Sequence, residues 1–268
     1  MFKKSRILRA VALLLVLGLT LCPLLSCADT EKTKDPTDKP AGSEIKNKRV
    51  AFTFDDGPTP TVTDKILDKL EAIGGRATFF QVGNRHDYIK DSTYQRIVDL
   101  GCEVGTHTFS HPSNFASMSE SATREQLTKS VAAIKGETQK SVTLFRPVGG
   151  AAKEKQLLIA AELGLHTVNW SLDTEDWREQ TSNVAAAEDF IEEKVNYIVE
   201  NATDGEIILM HELYLSSYEI FARAADKLTQ MGFELVTVSE ILELSPEDKP
   251  TAKIHRKGDP VIIPGAAG

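Results

Sequence analysis

Two adjacent carboxylates, Asp55 and Asp56, close the apolar run "FTFDDGP" (52–58), and two histidines, His107 and His111, share the segment "HTFSH". Histidines at this spacing can meet one ligand if their stretch is helical or tightly looped. Two imidazoles and one carboxylate are the donor set of a catalytic zinc that keeps a position open for water, and the same set suits non-haem iron. Farther along stand Arg146, then Asp173, Asp176 and Trp177, then His211. Taken singly, each has an ordinary reading. An isolated histidine pair is usually surface or core, an arginine is usually in a surface ion pair, and Asp173 and Asp176 could cap a following helix. Asp176 is left as a cap, Trp170 as core, and His86, His166 and His255 as ordinary histidines.

The elements that must position these groups are legible as periodicities. Strand-like runs are "RVAFTFD", "RATFFQVG", "CEVGTHT", "SVTLFRPV", "HTVNWSLD", "EIILMHE" and "FELVTVSE". Amphipathic helices lie between them, as in Val62, Ile66, Leu67, Leu70 and Ile73, and glycines at 74, 101, 164 and 232 close several of them. Strand–helix alternation through one domain predicts an α/β fold, a parallel sheet closed or nearly closed as a (β/α) barrel. In a parallel barrel the active site lies at the carboxyl ends of the strands, where Asp55 and Asp56, His107 and His111, Arg146, Asp173, Asp176 and Trp177, and His211 fall. Side chains alternate along a strand, so Asp55 and Asp56 should diverge. The chain turn at Gly57-Pro58 is expected to bring both to one pocket, where a cation can pair them.

Together, "TFDDGP", "HTFSH", "FRPVGG", "DTEDW" and "LMH", in this order, resemble the polysaccharide deacetylase family, carbohydrate esterase family four, also called the NodB-homology domain. The resemblance runs from about Arg49 to Leu244. It implies a distorted (β/α) barrel of seven or eight units and a divalent metal, Zn²⁺ first and Co²⁺ or another ion next, held by Asp56, His107 and His111. It also implies Asp55 as general base, Arg146 as its partner, His211 as general acid, Asp173 as the group that orients His211, Trp177 as a groove wall and the Gly149 N–H as an oxyanion donor. The implied reaction is hydrolysis of the acetamide of an N-acetylated polysaccharide, with N-acetylglucosamine of peptidoglycan as first choice. N-acetylmuramic acid, an exopolysaccharide, chitin fragments and an O-acetyl ester on xylan are alternatives, as is a non-catalytic carbohydrate-binding surface lipoprotein. One motif departs from the family's Arg-Pro-Pro-aromatic-Gly: Val148 and Gly149 occupy the third and fourth places, so a ring that would line the groove is missing.

The ends of the chain carry addresses rather than chemistry. Lys3, Lys4, Arg6 and Arg9 precede "VALLLVLGLTL", the order of a secretory signal peptide over residues 1–26. "LLSC" reads as a lipobox ending at Cys27, which resembles the lipidated cysteine of bacterial lipoproteins. A flexible tether follows to residue 48, the catalytic domain covers 49–244, and 245–268 reads as an exposed tail in which "VIIP" packs back on the barrel. These features place the protein outside the cytoplasmic membrane, lipid-anchored or secreted. Loss of the signal's four bases takes the formal charge from −8 to −12, which argues against nucleic acid as a partner. Once Cys22 is cleaved off and Cys27 lipidated, Cys102 alone remains, so no intramolecular disulfide can form.

Overall fold

The computed structural model describes residues 48–258, Pro246 apart. The signal peptide, Cys27, nearly all of the tether and "VIIP" lie outside the described residues, and among those described no helix is long and apolar enough to cross a membrane.

The strands are β1 (Lys48–Asp55), β2 (Thr78–Gln81), β3 (Glu103–Thr106), β4 (Leu144–Phe145), β5 (His166–Val168), β6 (Leu172–Asp173), β7 (Glu206–His211), β8 (Phe233–Leu235) and β9 (Ile254–His255). The helices are α1 (Val62–Ile73), α2 (Asp91–Asp99), α3 (Glu120–Thr138), α4 (Glu154–Glu162), α5 (Glu188–Asn201), α6 (Leu215–Gln230) and α7 (Val238–Ile241). Every strand pairing is parallel, and the order is β6-β7-β1-β2-β3-β4-β5-β9. β8 adds to the start of β1, at Lys48–Val50, while β2 pairs with its end, at Thr53–Asp55. The result is a curled parallel sheet whose edge strands do not pair with each other, an open form of the expected distorted barrel.

Alternation along β1 decides what each face holds. Val50, Phe52 and Phe54 meet Phe79 and the buried sides of α1, α5 and α6 in the largest hydrophobic cluster. Phe221 of α6 places its ring edge-on to Phe52 and Phe54, with centroids 5.1 and 5.0 Å away. Each such buried side chain contributes about 1.5–3 kcal/mol. Ala51 joins Phe80, Leu144, Val168, Ile207 and Val238 on the inner face. Gly105 makes room there, because a Cβ would stand 2.7 Å from the Phe80 ring. A second helical layer, with Leu127 and Ile134 of α3 and Ile159 and Ala160 of α4, packs on Phe145.

Two sequence expectations are corrected. The run "HTVNWSLD" is two strands, not one: Asn169-Trp170-Ser171 leaves β5, bridges the open side of the curl and enters the sheet again as β6 beside β7. The sheet also continues past residue 244, since Ile254–His255 pairs with β5 and the Asn169 N–H donates to the His255 carbonyl at 3.0 Å. That stretch is a strand rather than an exposed tail.

Candidate active site

The alternation that should have separated Asp55 from Asp56 is broken at Asp56 itself. Asp55 faces inward from the end of β1, and Asp56 has φ 72°, a left-handed conformation that a non-glycine residue adopts at a cost of about 1–3 kcal/mol. The turn therefore begins one residue earlier than Gly57, and it swings the second carboxylate beside the first. "HTFSH" is a tight loop rather than a helix, with Thr108 at φ 71° and His111 at φ 52°. Gln126 of α3 holds it by accepting from the backbone N–H groups of Phe109 and Ser110.

These two loops bring three ligand-type atoms together. Asp56, His107 and His111 form a group whose ligating atoms all lie within 4.8 Å of one another. His111 Nε2 lies 3.1 Å and His107 Nε2 3.6 Å from Asp56 Oδ1. That oxygen is buried and receives no well-aligned hydrogen bond, which is the condition a cation relieves. His107 Nδ1 lies 2.8 Å from the Arg146 carbonyl. A carbonyl only accepts, so Nδ1 carries the proton and Nε2 turns its lone pair to the cluster, as in metal-bound histidines. Burial also lowers the His107 pKa and favours the neutral ring that a metal requires. For Asp56, burial opposes ionisation, but the close approach of His111 and the histidine charges outweigh it and hold its pKa well below the carboxylate range. The residues present fit a divalent cation.

Asp55 is 3 % exposed and faces a fully buried arginine. Arg146 Nη1 donates to Asp55 Oδ1 at 2.8 Å and to the Thr53 hydroxyl at 2.7 Å, and its guanidinium lies over the Phe80 ring at 4.1 Å. The other Asp55 oxygen, Oδ2, is 3.8 Å from His107 Nε2. Arg146 thus occupies one oxygen of Asp55 and leaves the second toward the cluster.

His211 ends β7 in register with Asp55. Its Nδ1 lies 2.9 Å from Asp176 Oδ1, and its backbone N–H donates to Asp176 Oδ2 at 2.9 Å. Burial works against a charged ring, but this bond and the charges of Asp176, Asp55 and Asp56 outweigh it and raise His211 to about 9. The orienting residue is therefore Asp176 and not Asp173. Asp173 sits opposite Leu209, two residues short of His211, and its Oδ1 accepts from the Glu175 N–H. Glu175, at φ 54°, then turns the chain so that Asp176 reaches the ring. Asp176, read from the sequence as a helix cap, binds His211 instead.

This arrangement matches one known group of proteins. Residues 42–168 match the family described as polysaccharide deacetylase. Peptidoglycan-N-acetylglucosamine deacetylase of Bacillus cereus is 35% identical over 211 residues, covering 74% of this chain and 91% of that protein. The chain belongs to the polysaccharide deacetylase family. Peptidoglycan-N-acetylglucosamine deacetylase PgdA of Listeria monocytogenes is 33% identical over 196 residues, 73% of this chain but 39% of that protein's length. The structure of peptidoglycan deacetylase PdaC from Bacillus subtilis superposes with a TM-score of 0.65 at 32% identity, covering 74% of this chain and 91% of that one.

The remaining family positions fall around the same edge. Gly149 has φ 60°, and a Cβ there would meet nothing within 4 Å, so the missing aromatic side chain leaves open space. Trp177 is 44 % exposed, with the Arg178 guanidinium 5.4 Å from its ring centre. Two residues had no signal in the motifs. Arg85 Nη1 donates to the Asp56 carbonyl at 2.9 Å, and Glu212 is fully buried beneath the Asp55–Pro58 turn. His86 faces Asp87 and Glu137, and His166 stacks edge-on with His255, away from the cluster.

Proposed function

We propose that this chain is a metal-dependent deacetylase that hydrolyses the N-acetyl group of N-acetylglucosamine in peptidoglycan. The observation that carries this reading is the pairing of two proton-handling groups with opposite environments beside one candidate metal group. Asp55 is clamped by a cation, and His211 is raised by an anion. A reaction needing a base first and an acid second requires such a divided pair.

Asp56, His107 and His111 would hold the cation, zinc in our reading. When bound, it supplies Lewis acidity to an amide carbonyl and acidifies water. Asp55 Oδ2 accepts the proton of the attacking water, while Arg146 fixes the orientation of the carboxylate. In our reading the Gly149 N–H donates to the developing oxyanion. His211, protonated on both ring nitrogens, then gives its Nε2 proton to the departing amine, and Asp176 stabilises the charged ring before transfer. Peptidoglycan is preferred because the Bacillus cereus and Listeria relatives are named for that substrate, and because the signal and lipobox read at residues 1–27 put the protein at the wall, anchored through Cys27.

The test is incubation of the purified, metal-analysed chain with peptidoglycan and with chitooligosaccharides, measuring acetate and mapping the free amines formed. Acetate with matching glucosamine supports the reading. Metal-loaded protein that releases none from any substrate overturns it.

A further inference from the structure

Three successive carbonyls of the turn that carries Asp56 are satisfied from three different elements. The Asp55 carbonyl accepts from the Glu212 N–H at 3.2 Å, just past the end of β7. The Gly57 carbonyl accepts from the Val82 N–H at 2.8 Å, just past the end of β2. Between them stands the left-handed Asp56, whose carbonyl accepts from a side chain instead, Arg85 Nη1 at 2.9 Å. The middle bond is thus the one made by a charged donor, and charge assistance makes such bonds stronger than those of a neutral N–H.

Arg85 is anchored to the other ligand loop. It belongs to a 3₁₀ turn, Gly83–Tyr88, whose first two N–H groups donate to the histidine loop. Gly83 reaches the Thr108 carbonyl at 3.0 Å, and Asn84 reaches the Phe109 carbonyl at 2.8 Å. The turn lies hard against α3, since a Cβ on Gly83 would stand 2.7 Å from the Ser130 Cα. Ser130 is itself held, its hydroxyl accepting from Thr106 of β3 at 2.6 Å. The half-buried arginine also rests its guanidinium 5.9 Å from the Tyr88 ring centre. Residues 83–85 therefore hold the His107–His111 loop by their backbone and Asp56 by a side chain, and the ligand spacings of 3.1 and 3.6 Å span these two loops.

We propose that Arg85 is a positioning residue for the metal group, fixing the left-handed turn at Asp56 against the histidine loop and so setting the spacing of the three ligands. Partners behind a ligand typically change metal affinity about 10- to 100-fold. The proposal rests on the metal-dependent reading above and assigns part of the affinity to a residue outside the ligand set.

The experiment uses the full chain as wild type, Arg85→Met and Arg85→Lys, each stripped of metal and titrated with Zn²⁺ alone by calorimetry. Methionine keeps an apolar stem and removes every donor, whereas lysine keeps the charge and one donor group. Arg85→Met should raise the Kd for Zn²⁺ about 10- to 100-fold, and Arg85→Lys should recover part of that loss. The visible spectrum of the Co²⁺-loaded protein, which follows the arrangement of the ligands, should change in Arg85→Met and return toward wild type in Arg85→Lys. A merely structural role would lower the unfolding midpoint of the metal-free protein and leave both readouts unmoved. A Zn²⁺ Kd within about twofold of wild type in folded Arg85→Met overturns the proposal. Should that variant not fold, Arg85→Gln, shorter and uncharged, is read by the same criterion. Acetate release from peptidoglycan and chitooligosaccharides is measured beside the titrations. Equal Zn²⁺ affinities in proteins that release acetate remove the role of Arg85 and keep the deacetylase reading. A loss of about tenfold or more in affinity, with no acetate released by metal-loaded wild type, does the reverse.

Discussion

The Asp176 carboxylate grips His211 twice, Oδ1 at 2.9 Å from the ring Nδ1 and Oδ2 at 2.9 Å from the backbone N–H. The ring is thereby fixed in position and in charge. His211 is raised to about 9, so below that pH it is an imidazolium whose second N–H is available to a leaving group.

The pH consequence follows in sign. A folded pKa above the unfolded value of about 6.5 stabilises the fold fully below pH 6.5, and this contribution is lost as pH rises through about 9. The alkaline limb of kcat/KM should report the same group. Asp176→Asn removes the charge and should move that limb down toward 6.5, with Asp173→Asn leaving it in place. Deacetylation of N-acetylated chitopentaose measured against pH in both variants, with an NMR titration of the His211 ring, checks the assignment. An unmoved limb in Asp176→Asn would refute it.

Metal and base should separate by mutation. Chelation should abolish acetate release, with Zn²⁺ or Co²⁺ restoring it. Asp56→Asn should weaken metal binding, because Asp56 Oδ1 is the oxygen both histidines face. Asp55→Asn should keep the metal and lower kcat about 100- to 10,000-fold, the usual contribution of a general base. Elemental analysis beside the rate assay distinguishes the two, and wild-type turnover in Asp55→Asn would remove its role.

The parts of this site that were legible in the sequence are those fixed within a few residues of chain. "FTFDDGP" and "HTFSH" carry their ligands in short loops at strand ends, so residue type and position along the strand were enough. The choice between Asp173 and Asp176 was not legible, because both stand at the end of one strand and only the left-handed turn at Glu175 decides which reaches His211. β9 was hidden for a different reason. "TAKIHRKG" shows no apolar alternation, and its short strand is held by pairing to β5 and by Lys257–Glu206, both tertiary. "HTVNWSLD" misled because its apolar residues continue through a bridge that leaves the sheet.

At Gly149 the backbone decides what a substitution can test. A φ of 60° is left-handed, which proline cannot adopt, so Gly149→Pro would reshape the loop rather than delete one donor. Gly149→Ala should cost about 1–2 kcal/mol of stability from the backbone alone, because a Cβ there meets nothing within 4 Å. Its N–H remains, so kcat should stay within about tenfold of wild type, well short of the 100-fold or greater loss expected when an oxyanion donor is removed. Denaturant unfolding and turnover of the same preparation check both halves.

The last prediction concerns Gly57 and Glu212. Glu212 is fully buried, its Oε2 accepts from the Thr63 hydroxyl at 2.5 Å, and its Oε1 has no partner. Burial raises its carboxyl to about 8, so it is neutral at pH 7. A Cβ on Gly57 would stand 1.7 Å from Oε1 and 2.0 Å from the carboxyl carbon. Glycine is needed here for space rather than for φ, because Gly57 is not left-handed. Gly57→Ala must therefore push Glu212 aside or shift the turn that carries Asp56. It should cost about 1–3 kcal/mol, the usual range for overpacking, and weaken metal binding as well. Glu212→Ala alone loses the Thr63 bond and leaves a void. In that background, however, Gly57→Ala should cost almost nothing, because the atoms it struck are gone. The test is a double-mutant cycle on unfolding free energy, with metal affinity measured for each of the four proteins. If Gly57→Ala costs as much without the Glu212 side chain as with it, the contact between these residues does not shape the metal-binding turn.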